Sequence, residues 1–354
     1  MNVLIIGAGS VGTTIAQMLN STGDYDVTIA DRDEQALSRI VGGPRTQVLD
    51  ASNEDEVHAA LSGRNILVNA LPFSAVEPVA RAARAAVTHY FDLTEDVAAT
   101  RIVKALAQDA TTAFVPQCGL APGFIAIAAY DLAQRFDRTT DLHMRVGALP
   151  MFPTNGLRYN LTWSTESLIN EYCTPCEVIF NGSRREVLPL EGLEVFALDG
   201  TTYEAFNTSG GLGTLCETLA GTVQNVDYKT VRYPGHRDVL QLLIHDLGLG
   251  RRRALFKEVL EASIPVTLQD VVLIFITATG YRSGRLTQES FAKKIYSQDV
   301  DGIRRSAIQV TTAAGLCTMI ELLREGRLPQ RGFIRQEDAR LSDFLGNRFG
   351  RLYL

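Results

Sequence analysis

The sequence has no excess of positive charge and no long hydrophobic run. Its 34 Lys and Arg residues are outnumbered by 40 Asp and Glu residues, which gives a formal net charge of −6 at pH 7. Nucleic-acid-binding proteins concentrate positive charge, so this balance argues against a nucleic-acid partner. Polar residues interrupt every apolar stretch before the roughly 18 to 20 residues needed to cross a bilayer. We therefore expect neither a nucleic-acid partner nor a membrane span.

Cysteine is also scarce, with five residues scattered over a chain of 354. An odd number without a leader segment before the first predicted strand favours reduced thiols, and we expect a cytoplasmic location. Cys173 and Cys176 form a C-x-x-C pair. No second pair or nearby histidines complete a zinc set, and no thioredoxin-like strand precedes the pair. The sequence therefore predicts no metal site.

The length and composition are those of an ordinary globular protein. Hydrophobic residues make up 46% of the chain and charged residues 21%, which excludes a disordered chain. A length of 354 residues predicts about two domains, each large enough to bury its own core.

The chain opens with a predicted strand, a glycine turn and a helix. Residues 3–6 form an uninterrupted aliphatic run, as expected of a strand buried on both faces of a parallel sheet. The next six residues read G-A-G-S-V-G, a pattern that allows a tight turn and lets backbone approach a pyrophosphate. The helix after it offers its N-terminal amides to a phosphate. Five residues of the turn are predicted to bind a dinucleotide: Gly7, Gly9, Ser10, Val11 and Gly12.

An acidic residue follows the second predicted strand, which covers residues 26–30. Asp31 lies roughly 20 positions past the third glycine, where an acid is expected to bind the adenosine ribose hydroxyls. Its charge would repel a 2′-phosphate, which favours NAD. Arg32 and Arg39 stand nearby and would compensate that charge, so NADP stays open; a solvated surface position is the alternative for both arginines. We predict that Asp31 and Arg32 lie at the adenosine end of an NAD site.

Predicted strands and helices continue to alternate up to residue 123. Strands at 47–50, 66–68, 88–92 and 112–115 bring the total to six, and a helix is expected at 101–109. This pattern predicts a Rossmann-type doubly wound parallel sheet, whose ligands bind beyond the carboxyl ends of the strands. Residues after the fourth, fifth and sixth strands are therefore predicted to border the cofactor: Asn69, Ala70, Leu71, Pro72, Leu93 and Cys118.

The pattern changes after residue 123, where hairpins replace crossovers. Asn181-Gly182 lies between the predicted strands at 178–180 and 184–188, and this dipeptide supplies the positive φ angles that a two-residue hairpin turn needs. A second hairpin is expected around Gly284. Residues 124–305 are thus predicted to form a second, α+β domain with a mixed or antiparallel sheet. Residues 306–354 are predicted to form a helical segment that returns to the first domain.

Six motifs together carry a resemblance to a known family. In chain order they are G-A-G-S-V-G at 7–12, N-A-L-P at 69–72, D-L-T at 92–94, C-G-L-A-P-G at 118–123, T-S-G-G at 208–211 and K-T-V-R-Y-P-G-H at 229–236. Over nearly the whole chain this order resembles the saccharopine dehydrogenase family, and in particular its lysine 6-dehydrogenase branch. The resemblance implies a nicotinamide-dependent oxidation at a C–N bond of a lysine-like amino acid, a site between the two domains and a homodimer formed through the second domain's sheet.

The resemblance also implies roles for single residues. The loops after the fourth and fifth strands border the cofactor, and the turn at 118–123 lies beside the nicotinamide. Pro122 and Gly123 in that turn are next to the substrate, and Arg232 and His236 reach the site from the second domain.

The chemistry supports the same candidates. Oxidation of a carbon that bears nitrogen requires a base to neutralise the ammonium, and a histidine with a pKa near 6.5 exchanges protons at neutral pH. His236 is the candidate base, with capping of the helix that begins there as the alternative. Arg232 would hold a carboxylate through two parallel bonds, with a surface ion pair as the alternative. Asp92 would hold the ammonium or the nicotinamide ribose, with an N-cap of the next helix as the alternative.

The substrate stays open. Thr94-Glu95 stands where lysine 6-dehydrogenases have a diglycine, and the stretch between Arg251 and Asp270 is short. Saccharopine and carboxynorspermidine-type substrates therefore rival lysine. A non-catalytic dinucleotide-binding protein is the alternative of another class, but the polar residues at the predicted site favour an NAD(P)-dependent amine or amino-acid dehydrogenase.

Overall fold

The computed structural model describes residues 1–40 and 43–354. The chain divides into two compact units. Residues 1–124, 299–303 and 309–354 form the first, and residues 125–298 and 304–308 form the second.

The first unit contains a seven-stranded sheet in which each pair of neighbouring strands is parallel, in the order β17-β6-β5-β4-β1-β2-β3. Its strands are β1 (Asn2–Ile6), β2 (Asp26–Asp31), β3 (Arg45–Val48), β4 (Ile66–Asn69), β5 (His89–Asp92), β6 (Ala113–Val115) and β17 (Gly332–Phe333). The central strand β1 is buried from Val3 to Ile6, because helices cover both faces of such a sheet. The predicted Rossmann-type sheet is confirmed.

Side chains cap three of the five helices described next. Those of the first 123 residues are α1 (Ser10–Ser21), α2 (Glu34–Ser38), α3 (Glu54–Ala60), α4 (Val76–Ala85) and α5 (Val97–Leu106). Asn53 caps α3 by accepting hydrogen bonds from the amides of Asp55 and Glu56. The expected start of α5 at residue 101 is wrong, because Asp96 caps the helix earlier by accepting from the Ala99 amide.

The C-terminal part of the chain supplies a strand that the sequence pattern did not indicate. Beyond α11 (Ala307–Arg324), β17 pairs with β6, and α12 (Leu341–Gly346) follows. Since β17 has only two residues, it is too short to show the alternation of apolar and polar residues that identifies a strand in a sequence. The expected count of six strands is therefore corrected to seven.

The second unit holds a mixed eight-stranded sheet in the order β10-β11-β12-β7-β13-β14, with β8 pairing with β12 and β9 with β8. Among the described strand pairs of this sheet, β12 and β7 run parallel and the others antiparallel. Its strands are β7 (Arg138–Pro150), β8 (Cys176–Phe180), β9 (Ser183–Val187), β10 (Glu194–Leu198), β11 (Thr201–Asn207), β12 (Asn225–Arg232), β13 (Asp270–Arg282) and β14 (Arg285–Tyr296). Two short strands, β15 (Gln298–Val300) and β16 (Ile303–Arg305), pair with each other, and their residues are divided between the two units. The helices are α6 (Phe124–Ala133), α7 (Thr165–Cys173), α8 (Leu215–Leu219), α9 (His236–Gln241) and α10 (Arg253–Ser263).

Both predicted hairpins of this sheet are confirmed. Asn181 and Gly182 connect β8 to β9 with φ angles of 51° and 76°, and Ser283 and Gly284 connect β13 to β14 with 50° and 76°. Two consecutive positive φ angles give a turn whose twist matches that of the flanking strands.

One face of the second sheet carries an apolar cluster made without helices. We call it the strand-only cluster: its members lie on or directly beside strands, and they are Leu149, Phe196, Leu198, Tyr203, Ala205, Val231, Tyr233, Val271, Leu273 and Phe275. A second cluster joins Phe206 of β11 to side chains of α7, α9 and α10. Within the described residues, none of the helices is long and apolar enough to cross a membrane.

Candidate functional site

The glycine turn between β1 and α1 is tightly packed at two glycines and open at the third. Gly7 has a φ of +114°, and a Cβ there would lie 2.8 Å from the Ala70 carbonyl oxygen. A Cβ on Gly12 would overlap the Gly7 carbonyl. A Cβ on Gly9 would meet nothing within 4 Å. The first and third glycines are thus required by the fold, whereas Gly9 leaves room for a ligand to approach the backbone.

The start of α1 suits an anionic ligand. Gly9 is its N-cap and carries no capping side chain, and its first turn contains no acidic residue. Ser10 is exposed and Val11 is half-buried. The first amides of a twelve-residue helix are therefore available to a pyrophosphate, and the dinucleotide fits the residues present.

Asp31, at the end of β2, is tied to the glycine turn itself. Its Oδ2 accepts a hydrogen bond from the Ala8 amide at 2.7 Å, and Oδ1 accepts from the Asp33 amide at 3.0 Å. A carboxylate has about four acceptor sites, so two remain for ribose hydroxyls. Arg32 is exposed beside it, in agreement with either a solvated position or a contact with a 2′-phosphate.

The ends of β4, β5 and β6 are joined by a buried hydrogen-bond network around Asp92. Its Oδ2 accepts from the Tyr90 hydroxyl at 2.9 Å, and its Oδ1 accepts from the amides of Thr94 at 3.0 Å and Gln117 at 2.9 Å. Asn69 donates to the Tyr90 oxygen at 3.3 Å. Burial raises the pKa of Asp92 to about 6, although these hydrogen bonds oppose the shift.

The structure tests whether Asp92 caps the helix that follows it. The N-cap of the following helix is Asp96, so the capping role considered for Asp92 is wrong. Asp92 is only 1% exposed, and both carboxylate oxygens have protein donors. Its role toward an ammonium or a ribose stays a prediction.

The turn after β6 is compact and includes a cis peptide bond between Ala121 and Pro122. Gly123 has a φ of +135°, and a Cβ there would lie 2.7 Å from the Gly119 amide nitrogen. Cys118 is buried, and its thiol donates to the Val115 carbonyl at 3.0 Å. Burial raises the pKa of this thiol well above its usual range, so it is a neutral group here. Of the other predicted cofactor contacts, Ala70, Leu71 and Leu93 are half-buried and Pro72 is exposed.

In the second unit, Arg232 and His236 are linked through Tyr172, a residue that the sequence analysis did not single out. Arg232 Nε donates to the Tyr172 oxygen at 3.0 Å, and that oxygen lies 3.2 Å from His236 Nε2. His236 Nδ1 lies 2.8 Å from the Leu157 carbonyl oxygen. A carbonyl only accepts, so Nδ1 carries the proton and Nε2 of a neutral ring accepts from the Tyr172 hydroxyl.

The protonation state of His236 differs from the sequence-based expectation. The ring is fully buried, and burial together with the charge of Arg232 lowers its pKa to about 3. The assumed value near 6.5 is therefore wrong for this environment, and His236 is neutral at pH 7. Glu204 fixes the chain at this point by accepting from the amides of Gly235 at 2.8 Å and Arg237 at 2.7 Å. His236 is the first residue of α9, and its ring does not cap the helix.

Arg232 is not a surface residue. It is 2% exposed, and its Cζ lies 4.9 Å from the ring centroid of Tyr159 and 5.9 Å from that of Tyr172. Within the part of the chain that the structure describes, no carboxylate is within ion-pair distance of its guanidinium, although the charge of buried Glu171 is felt there. The surface ion pair considered for Arg232 is thus wrong.

The residues that sequence reasoning missed are tyrosines. Tyr90 is two positions before Asp92 on one strand, so the alternation of side chains places both on one face. That signal was available in the sequence. Tyr159 lies in the loop between β7 and α7 and Tyr172 lies on α7, and no spacing connects either of them to Arg232.

Comparisons with known proteins cover both units. The family model of the saccharopine dehydrogenase NADP binding domain matches residues 3–116, and that of the saccharopine dehydrogenase C-terminal domain matches residues 119–347. Apo saccharopine dehydrogenase (L-Glu forming) from Saccharomyces cerevisiae aligns with a TM-score of 0.75 and 15% identity, covering 99% of this chain and 96% of that one. This likeness shows the fold. DAP dehydrogenase from C. glutamicum in complex with DAP gives a TM-score of 0.49 and 11% identity over 98% of this chain and 99% of that one, too low a score to support an argument.

Proposed function

The chain belongs to the saccharopine dehydrogenase family of NAD(P)-dependent oxidoreductases, and on that premise we propose that it oxidises a C–N bond of lysine or of a lysine conjugate. The observation that carries the proposal is Arg232, a buried guanidinium without a carboxylate partner among the described residues. A buried charge is costly unless it is paired. A substrate carboxylate would pair it, and amino acids and their conjugates carry that group.

For the cofactor we propose NAD. The open backbone at Gly9 and the uncapped start of α1 support a pyrophosphate site, and the free acceptor positions of Asp31 support an adenosine ribose with both hydroxyls. When bound, the nicotinamide would accept a hydride from the carbon next to nitrogen. NADP binding would instead use exposed Arg32.

For proton transfer we propose a relay that ends on His236. A substrate proton would pass to the Tyr172 oxygen while the Tyr172 proton moves to His236 Nε2, which leaves an imidazolium. The charge of Arg232 helps to hold the pKa of His236 low, and a bound carboxylate would offset that charge. Substrate binding would thereby make His236 a stronger base. Asp92 is proposed to hold the substrate ammonium or the nicotinamide ribose.

Two further proposals concern the whole protein. The free state of all five cysteines supports a reducing, cytoplasmic location, and the strand-only cluster supports a homodimer formed through the second sheet. We propose a small-molecule amino-acid substrate and no nucleic-acid partner, since the formal charge is −6.

The proposed activity is tested by following reduction of NAD and NADP at 340 nm with lysine, saccharopine and carboxynorspermidine. We expect reduction with at least one of them, and faster reduction with NAD than with NADP. Binding of a dinucleotide without oxidation of any of the three would contradict the proposal and favour a non-catalytic dinucleotide-binding protein.

A further inference from the structure

Tyr159, whose ring lies against Arg232, has a buried hydroxyl without a hydrogen-bond partner among the described residues. Tyr159 is 1% exposed, and none of the described residues accepts from its hydroxyl. Buried tyrosine hydroxyls usually find a partner, since leaving a polar group unpaired in the interior costs free energy. An unpaired hydroxyl on a ring that lies against a guanidinium without a carboxylate partner among the described residues indicates a place where a ligand binds both.

The ring of Tyr159 is also held firmly in position. Its backbone is clamped by Asn155, whose side chain donates to the Tyr159 carbonyl at 2.6 Å and accepts from its amide at 3.3 Å. Its ring packs edge-on against His236 with centroids 5.4 Å apart and faces the Arg232 guanidinium at 4.9 Å. The ring is therefore held in one position against Arg232, and a ligand would not have to order it.

We propose that Tyr159 is a specificity-determining residue that donates its hydroxyl proton to one oxygen of a carboxylate whose other oxygen is bound by Arg232. The inference rests on the proposed function in that it names the group of the substrate that this site recognises. A carboxylate suits the site because it offers two oxygens in one plane, one for each donor. An amine without a carboxylate would leave both donors unpaired and would add a second positive charge.

The test uses Tyr159→Phe in the full chain, because phenylalanine keeps the ring and removes only the hydroxyl. Tyr281→Phe is the matched control, since the ring of Tyr281 also lies against an arginine, Arg138, in the same unit. Tyr281 lies near the end of β13, whereas Arg232 is the last residue of β12. The probes are glutarate, which has carboxylates and no amine, and 1,5-diaminopentane, which has amines and no carboxylate. Isothermal titration calorimetry is run with and without NAD.

We expect wild type and Tyr281→Phe to bind glutarate equally and Tyr159→Phe to bind it about tenfold more weakly, as expected for loss of one hydrogen bond to a charged group. Binding of 1,5-diaminopentane should not depend on Tyr159. Without ligand, the Tm of Tyr159→Phe should be equal to or higher than that of wild type, because an unpaired buried hydroxyl is removed. Equal glutarate affinity of wild type and Tyr159→Phe, or no glutarate binding by wild type, would overturn the inference.

Failure of this inference differs from failure of the proposed function. If wild type oxidises an amino acid and Tyr159→Phe keeps its KM and its glutarate affinity, only the role of Tyr159 is lost. If no amino acid is oxidised but glutarate binding depends on Tyr159, the carboxylate site stands and the proposed oxidation is lost.

Discussion

At the scale of single residues, Arg232 should separate substrate binding from catalysis. Replacing it by methionine keeps an unbranched chain between the rings of Tyr159 and Tyr172 and removes the charge. We predict that Arg232→Met raises KM for carboxylate-bearing substrates by about 100-fold, roughly 3 kcal/mol, because the anchor serves ground and transition states alike. The effect on kcat should be smaller. Steady-state kinetics test this, and a large loss of kcat with unchanged KM would contradict the anchoring role.

His236 allows a prediction that depends on pH. With a pKa lowered to about 3 by burial and by Arg232, His236 should contribute no inflection between pH 5 and 8 to kcat/KM, which reports the free enzyme. If the relay through Tyr172 operates, His236→Ala should lower kcat by about 10² to 10⁴. Circular dichroism and cofactor titration are the folding controls. A folded His236→Ala protein with wild-type kcat would return His236 to a purely structural role.

Asp92 gives a stability prediction whose sign follows from its raised pKa. Its pKa is 3.8 when unperturbed and about 6 in the folded protein, so the folded state holds more protons within this window. The stabilisation linked to the protonated carboxyl is complete below pH 3.8 and is lost as the pH rises through 6. Asp92→Asn does not titrate, and wild type should lose about 3 kcal/mol relative to it between pH 4 and 7. Thermal unfolding at several pH values measures this difference, which should be independent of pH if the carboxyl is not buried.

The residue scale also marks a limit of sequence reasoning. Motif order and loop position, both visible in the sequence, indicate Arg232 and His236 as site residues. Their pKa shifts and hydrogen bonds depend on Tyr159, Tyr172 and the Leu157 carbonyl, which are brought together only by tertiary packing. Chemistry that depends on burial therefore could not be read from residue types, as the wrong pKa assumed for His236 shows.

At the scale of elements, the turn between β1 and α1 gives a contrast between two glycines. Gly9→Ala places a Cβ in open space at an ordinary φ of −70°, so stability should be nearly unchanged while the methyl group hinders a pyrophosphate. We predict a loss of NAD affinity of at least about tenfold with a Tm close to that of wild type. Gly12→Ala should lower both the Tm and the affinity, because its Cβ overlaps the Gly7 carbonyl. Equal NAD affinity of Gly9→Ala and wild type would place the pyrophosphate elsewhere.

Elements with strong local signals were predictable, and elements that depend on partners were not. Three features determine local structure through neighbouring residues alone: the aliphatic run of β1, the Asn53 cap and the Asn181-Gly182 turn. By contrast, β17 exists because β6 offers it an open edge, and two residues carry no period of their own. Helix α5 begins before residue 101 because the side chain of Asp96 caps it.

At the scale of the whole molecule, the strand-only cluster combines six buried side chains with four that are only partly buried, namely Phe196, Leu198, Tyr233 and Phe275. The rings of Phe196 and Phe275 stack on each other with centroids 5.9 Å apart, and both are only half-buried. Tyr296, which pairs with Val271 across β13 and β14, is 49% exposed. Apolar side chains left partly exposed next to one another often mark an interface, and a twofold pair of sheets would cover them.

We predict that the protein is a dimer in solution and that Phe275→Arg breaks it, because a desolvated charge at the centre of an apolar interface has no partner. Leu188→Arg is the control, since Leu188 is equally apolar and 59% exposed but lies outside the cluster. Light scattering coupled to size-exclusion chromatography should give about twice the chain mass of 38.7 kDa for wild type and Leu188→Arg, and the single mass for Phe275→Arg. A monomeric wild type at micromolar concentration would mean that this face is covered in some other way, whereas a dimeric Phe275→Arg would move the interface to another surface.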